Sequence, residues 1–287
     1  MIKKKDVTNQ QHSQVQNNVD SEGPIGVFDS GVGGLTVVAA LQRYLPDEKI
    51  LYVGDTARVP YGGKSPETIR RYSKEIAHLL FEQRAKMIVV ACNSASALAL
   101  PTLKNLYAAP IQGVIEPGAV AAVHATRYGT IGVIGTKATI ASNAYQEAIY
   151  RLSPEAHIIS LACPLLVPLA EEGLFEDEIT NRVLQRYLEP LLCQGIDTLV
   201  LGCTHYPLLK KLIAHIIGPH VTLVDSAKNC ALAVKSLLTA KGLARTHNTS
   251  TPDKLEVLLT DPAEDFLHIA AKALEIKIDH VTITRLQ

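Results

Sequence analysis

Residues 87–94, Met87-Ile88-Val89-Val90-Ala91-Cys92-Asn93-Ser94, decide how this chain is read. An apolar run without alternation suits a strand buried on both faces of a parallel sheet. Here it ends in a cysteine and small polar residues. The pattern returns at Thr198-Leu199-Val200-Leu201-Gly202-Cys203-Thr204-His205. In open α/β sheets, reactive groups gather just beyond the carboxyl ends of such strands. Each half of the chain is therefore expected to present one thiol at a strand end. Two thiols, one from each half, suit chemistry that needs an acid and a base on opposite sides of a substrate.

Outward from these strands, strand and helix signals alternate. Residues 25–28 read as a strand and Asp29-Ser30-Gly31-Val32-Gly33-Gly34 as a tight loop. A helix follows to about Tyr44, stopped before Pro46, and residues 49–53 give the next strand. Ser65-Pro66 opens a helix, with serine as N-cap and proline in the first turn. Its apolar face is Ile69, Tyr72, Ile76 and Leu79, at helical spacing. After the Cys92 strand come a helix from about Ala95 and a stretch, 111–115, that leads into Glu116-Pro117-Gly118. The pattern then restarts, with strands at 130–134 and 158–161 and helices at 138–152 and 176–194. The Cys203 strand, a helix over 208–217 and a strand over 221–224 complete it. The interval from Phe28 to Cys92 nearly matches that from Ile134 to Cys203, so the chain reads as two α/β lobes of similar build. Residues 225–287 are too short for a third lobe and should pack back on one of the two. Residues 1–23, rich in Gln, Asn, Ser and charge, read as a disordered tail, and the fold is expected to begin at Pro24.

Composition narrows the class. At 287 residues, with 47% apolar and 20% charged residues, the chain reads as a soluble globular protein of two units. A formal net charge of zero gives no global field toward nucleic acid or an anionic membrane. The basic start, Met1 to Lys5, has no apolar stretch behind it and is no signal peptide. No apolar run approaches bilayer-spanning length. Five widely spaced cysteines, an odd number, argue for a reducing compartment, by default the cytoplasm.

Several motifs have a bland reading and a chemical one. Gly31, Gly33 and Gly34 with Asp55 suggest a dinucleotide site, but Thr36 breaks the glycine pattern. Close backbone approach to a small anion is the better use of these glycines. Gly62-Gly63-Lys64-Ser65 imitates the end of a P-loop, but its first glycine is Arg58. Cys92 and Cys203 each read as packing thiols when taken singly; as a matched pair at strand ends they read as reactive. Cys163, Cys193 and Cys230 lack the pattern. Cys203 and His205 form one C-x-H pair with no second pair to complete a zinc site. His205 is better read as tuning proton transfer. Asp29 reads as a loop cap, a proton acceptor, or both. Tyr61-Gly62 is a plain turn or a pocket wall, and Asn93, Ser94 and Thr204 are helix caps or ligand contacts.

The ordered series of motifs closely resembles the glutamate racemases, in the aspartate/glutamate racemase superfamily. The matching stretches are Phe28-Asp29-Ser30-Gly31-Val32-Gly33-Gly34-Leu35, Val59-Pro60-Tyr61-Gly62, Ala91-Cys92-Asn93-Ser94-Ala95-Ser96 and Leu201-Gly202-Cys203-Thr204-His205-Tyr206-Pro207-Leu208. Gly113-Val114-Ile115-Glu116-Pro117-Gly118 and Ala162-Cys163-Pro164 with Glu171 fit as well. The resemblance runs from about Ile25 to the C-terminus. It implies two similar doubly wound α/β lobes with the active site in the cleft between them. The first would hold residues 24–117 and 225–287, the second 118–224. It further implies cofactor-independent, metal-free interconversion of L- and D-glutamate by two thiols, supplying D-glutamate for bacterial peptidoglycan. Cys92 and Cys203 match the catalytic cysteines, Asp29 and His205 the residues that assist them, and Glu171 an acidic residue near Cys203. Asp29-Ser30, Tyr61-Gly62, Asn93-Ser94 and Thr204-His205 match the substrate-binding pairs. Ser94 departs from the usual threonine, keeping the hydroxyl and losing the methyl. Glutamate is the implied small-molecule partner, and a homodimer is compatible with the family. The alternatives are an aspartate racemase with a shorter pocket and a non-catalytic small-anion-binding protein.

Overall fold

The computed structural model describes residues 20–245, 255–262, 264–278 and 280–286. In chain order its strands are β1 (Ile25–Asp29), β2 (Ile50–Gly54), β3 (Met87–Val90), β4 (Ile111–Gly113), β5 (Thr130–Gly135), β6 (His157–Ala162), β7 (Thr198–Gly202), β8 (Thr222–Asp225), β9 (Leu255–Leu259) and β10 (Val281–Ile283). They make two parallel sheets, one ordered β10-β9-β2-β1-β3-β4 and the other β6-β5-β7-β8. Each has its first strand between its second and third. That reversal of strand order is the switch point at which α/β sheets open a crevice for ligands. Register places the chemistry there. Phe28 pairs with Val90, so Asp29 and Cys92 emerge together at one carboxyl edge. Gly135 pairs with Gly202, so Thr136 and Cys203 emerge together at the other.

The uninterrupted apolar runs are explained by two-sided burial. In β3, Met87 and Val89 enter one core while Ile88 and Val90 enter the core on the opposite face. In β7, Leu199 and Leu201 face one core and Val200 the other. Two helices exchange lobes to cover these faces. Helix Ile115–Ala125 follows β4 of the first sheet but sends Ile115, Ala119 and Ala122 into a core with Ile131, Val133 and Val200 of the second. Helix Ser226–Lys241 follows β8 of the second sheet but buries Cys230, Ala231, Val234 and Leu238 against the first. The two exchanged helices also pack on each other.

Some element boundaries differ from those read in the sequence. The helix expected over 138–152 is two, Lys137–Ala141 and Ala144–Leu152, broken where Asn143 turns left-handed at φ 57°. Asparagine tolerates that conformation better than most residues. Ser65 caps helix Pro66–Glu82 as expected, accepting from the Thr68 amide. The buried stripe of that helix is Ile69, Ser73, Ile76, Ala77 and Leu80, rotated from the expected Tyr72 and Leu79, which are half-buried. The stretch 111–115 that leads into Glu116-Pro117-Gly118 is a strand only to Gly113, and residues 116–118 lie in the first turn of helix Ile115–Ala125. Residues 208–209 belong to a 3-10 turn before helix Lys210–Ile217.

Most of the tail expected over 1–23 falls outside the described residues. Residues 20–23 turn under the first sheet, where Ser21 carbonyl accepts from Lys86 Nζ at 2.7 Å and Glu22 pairs with Arg245. Lys86 itself is fully buried against Glu48, 2.5 Å away. Among the described residues no helix is long and apolar enough to cross a membrane.

Candidate active site

Between the two carboxyl edges lies a narrow cavity, open at exposed Pro60. Ser30, Pro60, Tyr61, Gly62, Cys92, Asn93, Ser94, Thr136, Val167, Cys203, Thr204 and His205 line it. The centre of a water-sized sphere has only about 10 Å³ to move in, the room of roughly one water. Cys92 and Cys203 are both buried here, one from each sheet. Asp29 and Glu171 do not reach the wall. Asp29 lies beneath it, accepting from the amides of Gly31 at 3.1 Å and Gly34 at 3.0 Å and from Thr204 Oγ1 at 3.2 Å. Glu171 stands behind His205, its Oε1 3.2 Å from Nε2, as an ion pair rather than an aligned hydrogen bond.

The two thiols have different neighbours. Cys203 Sγ lies 3.9 Å from His205 Nδ1. Burial alone would lower the imidazole, but Cys203, Glu171 and Asp29 outweigh it and hold His205 up at about 10. His205 is therefore a cation at neutral pH. Burial pushes the Cys92 thiol far above its ordinary value, the Asp29 charge adds to this, and the amides of Ala95 and Ser94 oppose it only in part. Burial also raises Asp29, against the pull of His205 and its hydrogen bonds to Gly31, Gly34 and Thr204.

The glycines of the first loop serve closeness between parts of the chain itself. A Cβ on Gly33 would lie 2.6 Å from Thr204 Oγ1 and 2.7 Å from His205 Nδ1, and one on Gly34 would meet Asp29 Cβ at 2.3 Å. Gly62 is likewise pressed on Thr136, where a Cβ would come within 2.4 Å. Helix capping does not occupy the polar pairs. Ser94 Oγ bonds Thr136 Oγ1 at 2.9 Å and Thr139 Oγ1 at 3.2 Å, and Thr204 donates to Asp29. Tyr61 is held from behind: its hydroxyl donates to fully buried Asp55, which also takes Arg58 Nε and Thr260 Oγ1.

Sequence reading missed Pro60, Thr136 and Val167 on the wall, and Asp55 and Tyr145 behind it. Thr136 had a usable signal, since it follows β5 as Cys203 follows β7. Nothing in the sequence marks Val167. Cys163 and Cys230 are buried, Cys193 is exposed, and burial pushes the Cys163 thiol up to about 12. Among the described residues no cluster of three or more His, Cys, Asp or Glu side chains is placed to hold a metal ion.

The Asp/Glu/hydantoin racemase family model matches residues 25–234. A glutamate racemase of Geobacter metallireducens is 49% identical over 257 residues, which span 90% of this chain and 94% of that one. A glutamate racemase isoform from Bacillus anthracis superposes with a TM-score of 0.86 at 38% identity, covering 92% of this chain and 97% of its own. A glutamate racemase from Francisella tularensis, solved in complex with D-glutamate, also gives 0.86, at 37% identity over 93% and 99% of the two chains. The chain belongs to the Asp/Glu/hydantoin racemase family and, within it, to the glutamate racemases.

Proposed function

We propose that this chain interconverts L- and D-glutamate by moving the α-proton between two thiols, without a cofactor, and supplies D-glutamate for peptidoglycan in the cytoplasm. One observation carries the reading: Cys92 and Cys203, from equivalent strands of two sheets, line the same buried cavity. The α-proton of an amino acid is a weak acid, so a base and an acid must act on opposite faces almost together. Cys203 takes the α-proton of L-glutamate while Cys92 gives one to the opposite face, and Cys92 takes that of D-glutamate while Cys203 gives. Asp29 exchanges protons with Cys92. His205, oriented by Glu171, does so with Cys203. Ser30, Tyr61, Gly62, Asn93, Ser94 and Thr204 hold the substrate, their hydroxyls and amides facing its carboxylates and the charge that develops at Cα. The lobes are residues 24–117 with 225–287, and residues 118–224. A cavity of this size admits an amino acid only when the lobes part, so closure around the substrate excludes water from the proton transfer.

The test is polarimetry of L-glutamate with chelator-dialysed protein and no added cofactor. Rotation should decay to zero. In heavy water, early product should carry α-deuterium while unreacted substrate carries little. Unchanged rotation, activity restored only by a metal or pyridoxal phosphate, or turnover of aspartate in place of glutamate would overturn the reading.

A further inference from the structure

Asn93 is buried on the cavity wall, and its Nδ2 has no hydrogen-bond partner among the described residues. A buried donor left so is costly unless something accepts from it. The other end of the amide is taken: Tyr145 donates its hydroxyl proton to Asn93 Oδ1 at 2.7 Å. This bond crosses between the lobes, from helix Ala144–Leu152 to the start of helix Asn93–Leu98. The phenol cannot swing away. Its ring lies so close to Gly118 and Gly202 that a Cβ on either would come within 3.1 Å of a ring carbon. Ser226, at the start of one exchanged helix, lies beside the phenol: a Cβ on Gly118 would be 3.2 Å from the phenol oxygen and 3.3 Å from Ser226 Cβ. Pinned there, the phenol gives its proton to Asn93 Oδ1. An asparagine amide offers an acceptor at one end and two donors at the other. Its carbonyl oxygen must then turn to Tyr145 and its NH₂ group away from it.

Resting on the racemase reading, we propose that Tyr145 is a positioning residue that fixes the Asn93 amide with its NH₂ toward the cavity, to donate to a carboxylate of the bound glutamate. Because donor and acceptor sit on different lobes, the amide is oriented only when the lobes close. Recognition of the carboxylate and closure are thereby one event. A flipped amide would present oxygen to an anion and repel it.

Tyr145→Phe keeps the ring and removes the proton. It should raise KM for both enantiomers about tenfold while kcat changes less than about threefold. In an Asn93→Ala background the same change should add nothing further, which a merely structural role would not produce. Ser226→Ala, which loosens the packing beside the phenol without touching the tyrosine, should raise KM by a smaller factor and covers the case in which Tyr145→Phe folds poorly. Calorimetric titration of D-glutamate into wild type and variants reads the same shift without turnover. Wild-type polarimetry in the same series reports separately on the racemase reading. Unchanged KM and affinity in Tyr145→Phe and Ser226→Ala, or independent multiplication of the Tyr145 and Asn93 effects, would overturn the assignment.

Discussion

At the end of β7, Cys203 faces a buried imidazolium that is backed by Glu171. At the end of β3, Cys92 feels a buried carboxylate, Asp29, and the amides of Ser94 and Ala95. The strands, their register and their sheet order correspond, yet the charges beside the sulfurs are opposite. A racemase binds substrates that are mirror images at Cα, but its own two halves need not mirror each other. His205 arrives carrying a proton that it can give. Asp29 arrives as a group that can take one. On the proposed function, partners in these states reset the thiols after D-glutamate is consumed, Asp29 taking the proton from Cys92 and His205 giving one to Cys203; after L-glutamate each must act in its other protonation state.

The sharpest way to break this comparison is to remove each sulfur in turn. Cys92→Ala and Cys203→Ala should each abolish racemisation in both directions, by a factor of about 10³ or more by polarimetry. Retention of a tenth of wild-type activity in either would end the two-thiol account. Next in size is Gly33→Ala. Its methyl group would strike Thr204 and His205 at the Cys203 end and, through Thr204, reach Asp29. A displacement of this order should cost about 100-fold in kcat/KM, and a variant of normal activity would show that the loop yields freely.

Exchanging the partner groups sharpens the contrast. His205→Gln and Asp29→Asn should each lower kcat by about 10- to 100-fold, with different effects of pH on stability. His205 is raised in the folded state from its ordinary 6.5 to about 10. Its contribution to stability is therefore complete below pH 6.5 and is lost as pH rises through about 10. Wild-type melting temperature should fall across that window; His205→Gln should flatten the fall, while Asp29→Asn, which removes one of the charges that raise His205, should only weaken it. An equal slope in all three proteins would show that His205 is not the titrating group. The smallest effect belongs to Cys163, buried but off the cavity wall. Cys163→Ala should keep most activity and cost about 1 kcal/mol in denaturant unfolding.

The parts of this molecule that could be read from sequence obey short-range rules. The buried strands announced themselves as unbroken apolar runs, and the thiols stood where such strands end. Ser65-Pro66 marked its helix start through local capping chemistry. Contacts fixed by tertiary packing were not legible. Tyr145 and Asn93 are 52 residues apart in the chain, and no spacing rule joins them. Asp55 looked like a failed ribose ligand until Tyr61, Arg58 and Thr260 converged on it. The left-handed Asn143 that splits a helix was invisible in a pattern whose apolar periodicity continues through it. The glycines were read as sites of close approach to a small anion, but what approaches Gly33 is the other lobe, and what approaches Gly34 is Asp29 of its own loop.

The exchanged helices bear on how the protein is made. As the chain leaves the ribosome, β1 to β4 emerge first, but one face of their sheet is covered only in part, by helix Leu35–Tyr44, until helix Ser226–Lys241 follows. β2 must also wait for β9, which pairs Gly54 with Leu259. The second sheet, with its helix Ile115–Ala125 already synthesised, has what it needs much sooner. The half that begins first is thus completed last. Until then a nascent chain carries an open strand edge and an exposed apolar face, the features that chaperones bind and that drive aggregation.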